Sequence, residues 1–359
     1  MLNELKNKIT HLFWRITGNS EKNLTLIEIE YSSPFVNAKD NITDIRTARL
    51  MRVYDKNELN GYFYLLNTPC VIEPSLSYAI VGINKIIRPS IYAHEVKPSI
   101  GKYIKYRLFN TGNKISLPKA VLFDGSIGTN YFYFFAEVLN KLYVLEKNNI
   151  DKAIPLIIGR KVFNTKFFQY LYQKTYVGSW NWLVQEGNDF ITCQSLYMIN
   201  PTPFNKVHWD KTLSLIENLK SPVKPFRRLF VTRPKEFRRH LKNDESIMQI
   251  LKPHGFEIVD PGSLSFEDQG KIFSETEIIV AVHGSALTNM MFSAPAQLKL
   301  LEMMPANRVN AQAGYWVGLF LGIKYYDCLL GTDMLDSEFE VSVTDFEKAF
   351  ERLMAYGQD

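Results

Sequence analysis

Cysteine is scarce in this chain. Cys70, Cys193 and Cys328 stand alone and far apart among 359 residues. No CxxC pair exists to hold zinc, and no disulfide framework can be drawn, a usage that fits a reducing compartment. Long apolar runs are missing too. Nothing approaches the roughly 18 apolar residues that span a bilayer. The opening stretch MLNELKNKITHLFWRITGNS has no apolar core of signal-peptide length. The expectation is a cytoplasmic protein, soluble or peripheral on the inner face of the cytoplasmic membrane. Leu2, Leu5, Ile9, Leu12 and Phe13 fall at helical spacing among Lys6, Lys8 and Arg15, which reads either as a membrane-grazing helix or as one packed on its own domain. The sequons at Asn23 and Asn41 read as chance without a secretory signal.

Three ligand-binding signatures are also absent. No GxGxxG follows a strand and no GxxxxGK[ST] occurs, so neither a dinucleotide dehydrogenase nor a P-loop NTPase is supported. No Asp-x-Asp pair sits on a loop, so a metal-dependent nucleotide-sugar site of that type lacks its ligands, and no metal is expected. The net charge of +5 is too small to argue for nucleic acid by itself. It fits an acidic ligand or an anionic membrane surface.

What is present belongs to an ordinary globular protein, with 46% hydrophobic and 22% charged residues. Aromatics reach 13%, read as packing or as surfaces that stack on sugar rings. The length favours two domains. Residues 25–118 are strand-like and irregular, a β-rich extension. From 119 the rhythm changes to strand 120–123, helix 131–147, strand 153–159 and helix 166–174, which implies βαβ units on a parallel sheet. Together these form an N-terminal domain over 1–219, Rossmann-like from 119 to 219. Residues 220–226, with Pro222 and Pro225 and no apolar period, are the linker. Over 227–335 strands and helices alternate again as a second Rossmann-like domain. Asn243 is expected to cap a helix that stops at Gly255, Ser265 to open another, and further helices are expected over 285–292 and 315–321. A last helix within 340–359, capped at Thr344, must dock somewhere, with a return across the linker onto the N-terminal domain as one reading.

The most informative stretch is 277–289, Glu-Ile-Ile-Val-Ala-Val-His-Gly-Ser-Ala-Leu-Thr-Asn. A β-branched run ends in a small, polar turn and enters a helical pattern. Such junctions hold anions, because first-turn N–H groups lack intrahelical partners. His283, Gly284, Ser285, Ala286, Leu287, Thr288 and Asn289 are therefore candidate phosphate contacts, and His283 is also a candidate to assist a leaving group. From Ser221 to His240 the chain carries seven Lys or Arg against one acid, Glu236. Arg233 and Arg239, past the strand end, would suit a diphosphate. Glu302, after the next strand, is expected to accept from ribose hydroxyls.

The ordered set Thr232-Arg233, Arg239, Asn243-Asp244, Leu264-Ser265-Phe266 with Gln269, His283-Gly-Ser-Ala-Leu-Thr-Asn289 and Glu302 resembles the signature of glycosyltransferase family 61. That family's best-known stretch reads His-Gly-Ala-Gly-Leu-Thr-Asn, so Ala286 stands where its second glycine would be. Asn130-Tyr-Phe-Tyr-Phe-Phe-Ala-Glu137 resembles its earlier motif, with Tyr133 where the family has histidine. The resemblance covers about 120 to 305. It implies a GT-B architecture of two Rossmann-like domains facing a cleft. It implies inverting, metal-independent transfer of a sugar from a nucleotide-diphosphate donor, UDP by default, to a glycan or lipid-linked acceptor in surface polysaccharide synthesis. Asn130, Tyr131 and Tyr133 fall on the acceptor side. Arg233, Arg239, Asn243, the 283–289 turn and Glu302 fall on the donor side. Such transfer needs a base on the N-terminal domain, for which Asp124 and Glu137 are the candidates, Asp124 slightly ahead. The competing readings are a GT-B nucleotide-sugar enzyme of another family and a catalytically degenerate sugar-nucleotide-binding scaffold.

Overall fold

A computed structural model describes residues 12–17, 23–30, 61–90, 98–109, 111–124, 128–200, 206–236, 238–308 and 321–357. Residues 1–11, and all but the last residue of the helix expected over 315–321, lie outside this set. The fold is α/β, and the described residues divide into two compact units, one running up to His208 and one from Trp209. Among the described residues no helix is long and apolar enough to cross a membrane.

Among the described residues the first unit is built on ten strands of one mixed sheet. In chain order they are β1 Arg15–Thr17, β2 Leu24–Glu30, β3 Gly61–Leu66, β4 Cys70–Glu73, β5 Tyr78–Val81, β6 Lys85–Ile87, β7 Lys114–Leu122, β8 Leu156–Gly159, β9 Trp182–Gln185 and β10 Phe190–Asn200. β7, β8 and β9 are parallel neighbours, the βαβ rhythm expected from the sequence. β10 joins them to the rest. It runs parallel to β7 from Phe190↔Lys114 to Met198↔Leu122. Its other edge pairs antiparallel with β4 at Cys193↔Cys70 and with β3 at Leu196↔Leu66. The described strands of the β-rich stretch are thus no separate extension: they form the other half of the same sheet. Ile191, Cys193, Leu196 and Met198 of β10 share a buried cluster with Leu66, Ile72, Ala120 and Leu122.

The expected helix 131–147 forms with an irregular middle. Asn130 caps its start, accepting from the Phe132 and Tyr133 N–H groups at 3.1 and 3.3 Å. A π-helical turn over Phe134–Val138 precedes the regular helix Asn140–Lys147. Turns of this kind recur at functional positions.

The second unit holds a five-stranded parallel sheet of β11 Arg227–Val231, β13 Phe256–Val259, β14 Thr276–Val282, β15 Lys299–Met304 and β16 Tyr325–Leu330, in the order β13-β11-β14-β15-β16. The pair β12 His240–Leu241 and β17 Glu338–Phe339 stands apart. Both faces of the sheet are covered, so β14 reads Thr-Glu-Ile-Ile-Val-Ala-Val with little alternation. Gly255 closes a helix in the left-handed region at φ 73°, and Ser265 caps the helix Phe266–Ser274 by accepting from the Asp268 N–H at 3.0 Å.

Four expectations change. The helix Val343–Ala355 is capped by Ser342, not Thr344. It buries Phe346, Phe350 and Leu353 against Ile247, Leu251 and Leu329 of its own unit rather than returning across the linker. The 220–226 segment is stitched to the second unit through Ser221 N–H on Ser274 and Phe226 N–H on the Glu275 carbonyl, so the chain changes unit earlier, at 208–209. The helix at 285–292 is the tighter 3-10 form, with Leu287 N–H on the Gly284 carbonyl.

Candidate active site

β11 and β14 are adjacent, yet the chain leaves β11 for the β13 edge and β14 for the β15 edge. Where a parallel sheet reverses its winding, the loops diverge and open a crevice at the carboxyl ends of the strands. Arg233 follows β11 and His283 follows β14. Arg233 Nη1 donates to the His283 carbonyl at 3.2 Å, bridging the two loops. The guanidinium lies so close to the next residue that a Cβ on Gly284 would sit 2.0 Å from Nη1. Glycine is therefore required there for close approach. Its φ of 174° is extended and strains nothing.

Arg233 is fixed from behind, since His240 Nδ1–H donates to its carbonyl at 2.9 Å. Arg239 is fixed through its main chain. Its N–H donates to the Ser337 carbonyl at 2.6 Å, and it holds φ 71°, a left-handed conformation that costs a side-chain-bearing residue roughly 1 kcal/mol. Burial, and after it the nearby Arg233, Arg308 and Arg238, lowers the Arg239 pKa to about 10 against the opposing pull of Glu302. Burial also lowers the Arg233 pKa, with Asp260 opposing. Among the described residues neither arginine forms an ion pair with a carboxylate. Converging, part-buried guanidinium groups without an acid partner make a site for an anion.

The Ser285–Phe292 helix begins at the same place. Its leading residues, Ser285 and Ala286, are partly exposed, while Leu287, Thr288 and Asn289 are buried. By position the Ser285 and Ala286 N–H groups have no acceptor within the helix. Thr288 Oγ1 and Arg233 Nε are both buried and without a hydrogen-bond partner.

His283 is 2% exposed, and its Nδ1 lies 2.6 Å from Glu302 Oε1. The second oxygen of Glu302 accepts from the Tyr326 hydroxyl at 2.8 Å. Glu302 is therefore enclosed, with both oxygens committed to protein donors, and does not stand open to a ribose as its strand position led us to expect. Asn243 also differs. It occupies the N-cap position of the helix Asp244–Leu251 without capping it. Its amide exchanges two hydrogen bonds with the Val341 backbone, at 2.8 and 3.3 Å. Tyr326, His240 and Arg308 escaped the sequence reading, because none lies in a recognisable local pattern.

In the first unit, Asp124 follows β7 and is 3% exposed. It accepts from Ser77 Oγ at 2.9 Å and from the Gly159 N–H at 2.7 Å. Burial raises its pKa, with those bonds and Lys141 opposing. Lys141 is itself buried, which lowers its pKa to about 8 against the pull of Asp124 and Glu137. Glu137 lies on the π turn, half-buried. Tyr131 packs edge-on against Phe135, and Tyr133 against Phe132.

Residues 128–301 match the family model described as Glycosyltransferase 61. The chain carries a glycosyltransferase family 61 domain. It is an enzyme that moves a sugar from a donor to a glycan acceptor. The family 61 domain takes in Asn130, Glu137, Arg233, Arg239 and the His283–Asn289 turn; Asp124 lies just before it and Glu302 just after. No curated protein matches the chain.

Proposed function

We propose that this family 61 glycosyltransferase binds a nucleoside diphosphate sugar at the switch point of the second unit and transfers the sugar with inversion, without a metal. The observation that carries the reading is the pair Arg233 and Arg239, mutually close and neither ion-paired with a carboxylate among the described residues, with Arg233 bridging to the His283 carbonyl. Positive side chains and helix-start N–H groups would neutralise the diphosphate as charge builds on the leaving phosphate. The fit of the donor class rests on that charge and on the crevice at the strand ends. A GT-B architecture goes with this reading, the donor held by the second unit and the acceptor served by the first. So does a place in surface polysaccharide synthesis, in the cytoplasm or at the inner face of the membrane, with a lipid-linked acceptor.

For the base we favour Glu137 over Asp124. Asp124 gives one oxygen to Ser77 and the other to Gly159, whereas Glu137 is half-exposed on the π turn beside the aromatic Asn130–Phe135 segment. A thermal-shift screen against UDP-, GDP-, CMP- and dTDP-sugars identifies the donor, since a ligand at 100 times its Kd stabilises by about 2.7 kcal/mol. Turnover of Arg239→Ala and His283→Ala should fall by roughly two orders of magnitude with the fold intact. Near-normal transfer by both variants, or no shift with any nucleotide sugar, overturns the reading. Full activity in both Glu137→Gln and Asp124→Asn places the base elsewhere.

A further inference from the structure

The ring of His283 is held by a chain of hydrogen bonds that crosses three parallel strands. His283 extends β14, its N–H donating to the Met303 carbonyl at 2.8 Å. Glu302 lies in β15 and Tyr326 in β16, and the register sets Glu302 opposite Cys328, two residues beyond Tyr326 on the same face. All three side chains are buried. A carboxylate has no proton to give, so the Nδ1 of His283 carries the proton in its 2.6 Å contact with Glu302 Oε1. The tautomer and the ring plane are thereby fixed, and Nε2 is the ring atom left to meet a ligand.

One donor does not hold a buried carboxylate. With Oε1 alone engaged, the group is free to turn about its last torsion and leaves an unsatisfied oxygen in the core. Tyr326 supplies the second donor. Burial first, then Cys328 and Glu302, pushes its phenol well above the usual range, so the hydroxyl keeps its proton and must be the donor. The neighbouring acid on β16, Asp327, serves a separate purpose. It accepts from Arg352 at 2.8 Å and from its neighbour Cys328 N–H at 2.8 Å.

We infer that Tyr326 is a positioning residue for the transferase reaction, acting through Glu302 to orient His283 so that its Nε2 meets the leaving phosphate. Neither Tyr326 nor Glu302 touches the donor in this assignment. The inference rests on the donor-site reading above, and it changes the part assigned to Glu302 from a ribose contact to a support. Arg233 engages only the carbonyl of His283. Among the described residues Glu302 is the acid paired with the ring.

The test uses the full chain and its identified nucleotide-sugar donor. Tyr326→Phe removes only the hydroxyl. Glu302→Gln keeps an oxygen to accept from Nδ1–H and an amide that can face the Tyr326 oxygen, so both variants should fold. Carboxylate supports of a ligand histidine at metal sites are worth about 10–100-fold, which sets the scale here. The expected result is a kcat lower by about tenfold in Tyr326→Phe and about a hundredfold in Glu302→Gln, with the donor KM held within about threefold. In protein labelled with 15N-histidine, the low-field Nδ1–H proton resonance of His283, identified by its loss in His283→Ala, should move in both variants. An unchanged kcat in both variants while His283→Ala is strongly impaired overturns the inference and leaves the donor site standing. So does a kcat that falls only with the folded fraction while the Nδ1–H signal stays in place. Normal turnover in His283→Ala overturns the donor-site reading and this inference with it.

Discussion

Gly284→Ala is the sharpest test of how the site is built. The added Cβ would lie 2.0 Å from Arg233 Nη1 and 3.2 Å from Cζ, against a normal contact of 3.4–4 Å. The guanidinium must therefore retreat by more than 1 Å, because ordinary contact begins at 3.4 Å. That movement breaks the 3.2 Å bond to the His283 carbonyl and withdraws the charge from the crevice. The backbone gives no reason for instability, since φ 174° and ψ 172° suit alanine as well as glycine. The charged hydrogen bond that the withdrawn guanidinium no longer makes to the donor phosphate is worth about 1.5–3 kcal/mol. At about 1.4 kcal/mol per decade, donor affinity or kcat/KM should fall roughly 10–150-fold, while Tm falls only by the smaller cost of the bond lost to His283. Steady-state transfer and calorimetric nucleotide binding measure the effect, and a double-mutant cycle assigns it. In an Arg233→Ala background the clash is gone, so Gly284→Ala should cost almost nothing there. An equal cost with and without Arg233 would refute the steric account.

Two further outcomes follow from the same geometry. Thr288→Val removes a buried hydroxyl that has no protein partner, so the ligand-free protein should hold its stability or gain about 1 kcal/mol while the thermal shift given by the nucleotide sugar shrinks; an undiminished shift separates Thr288 from the ligand. Lys141→Met removes the buried cation whose charge favours ionised Asp124 and should lower stability in denaturant unfolding by about 1–3 kcal/mol, with Asp124→Asn restoring much of the loss; an undiminished stability in the single variant counts against the coupling.

The second unit was largely legible in the sequence because its structure is local. A βα repeat announces each strand by a short β-branched run and each helix by a cap, and Phe256–Val259, Gly255 and Ser265 fall where those signals put them. The Arg233 and His283 strand ends are also adjacent in space, as a parallel sheet with a change of winding requires. β10 was not legible. Its first half, Phe-Ile-Thr-Cys-Gln-Ser, mixes polar and apolar residues without a turn signal, and what makes it a strand is pairing with residues more than a hundred positions earlier. Long-range partners also explain Asn243 and Glu302. A lone Asn before a helix reads as a cap, but the Val341 backbone that claims it is 98 residues away. A strand-borne acid reads as open to ligand until Tyr326, on the next strand, is seen to close it.

The mixed sheet bears on how the protein can be cut for study. The segment matched by the family begins at 128, but β3, β4 and β7, which flank β10, all come earlier in the chain. A fragment trimmed to the match would strip the middle strand of both neighbours at once, exposing two raw edges and the apolar face of Leu196 and Met198 to other molecules. Truncation should therefore yield aggregates, whereas dividing the chain near 208 keeps the described strands of each sheet together.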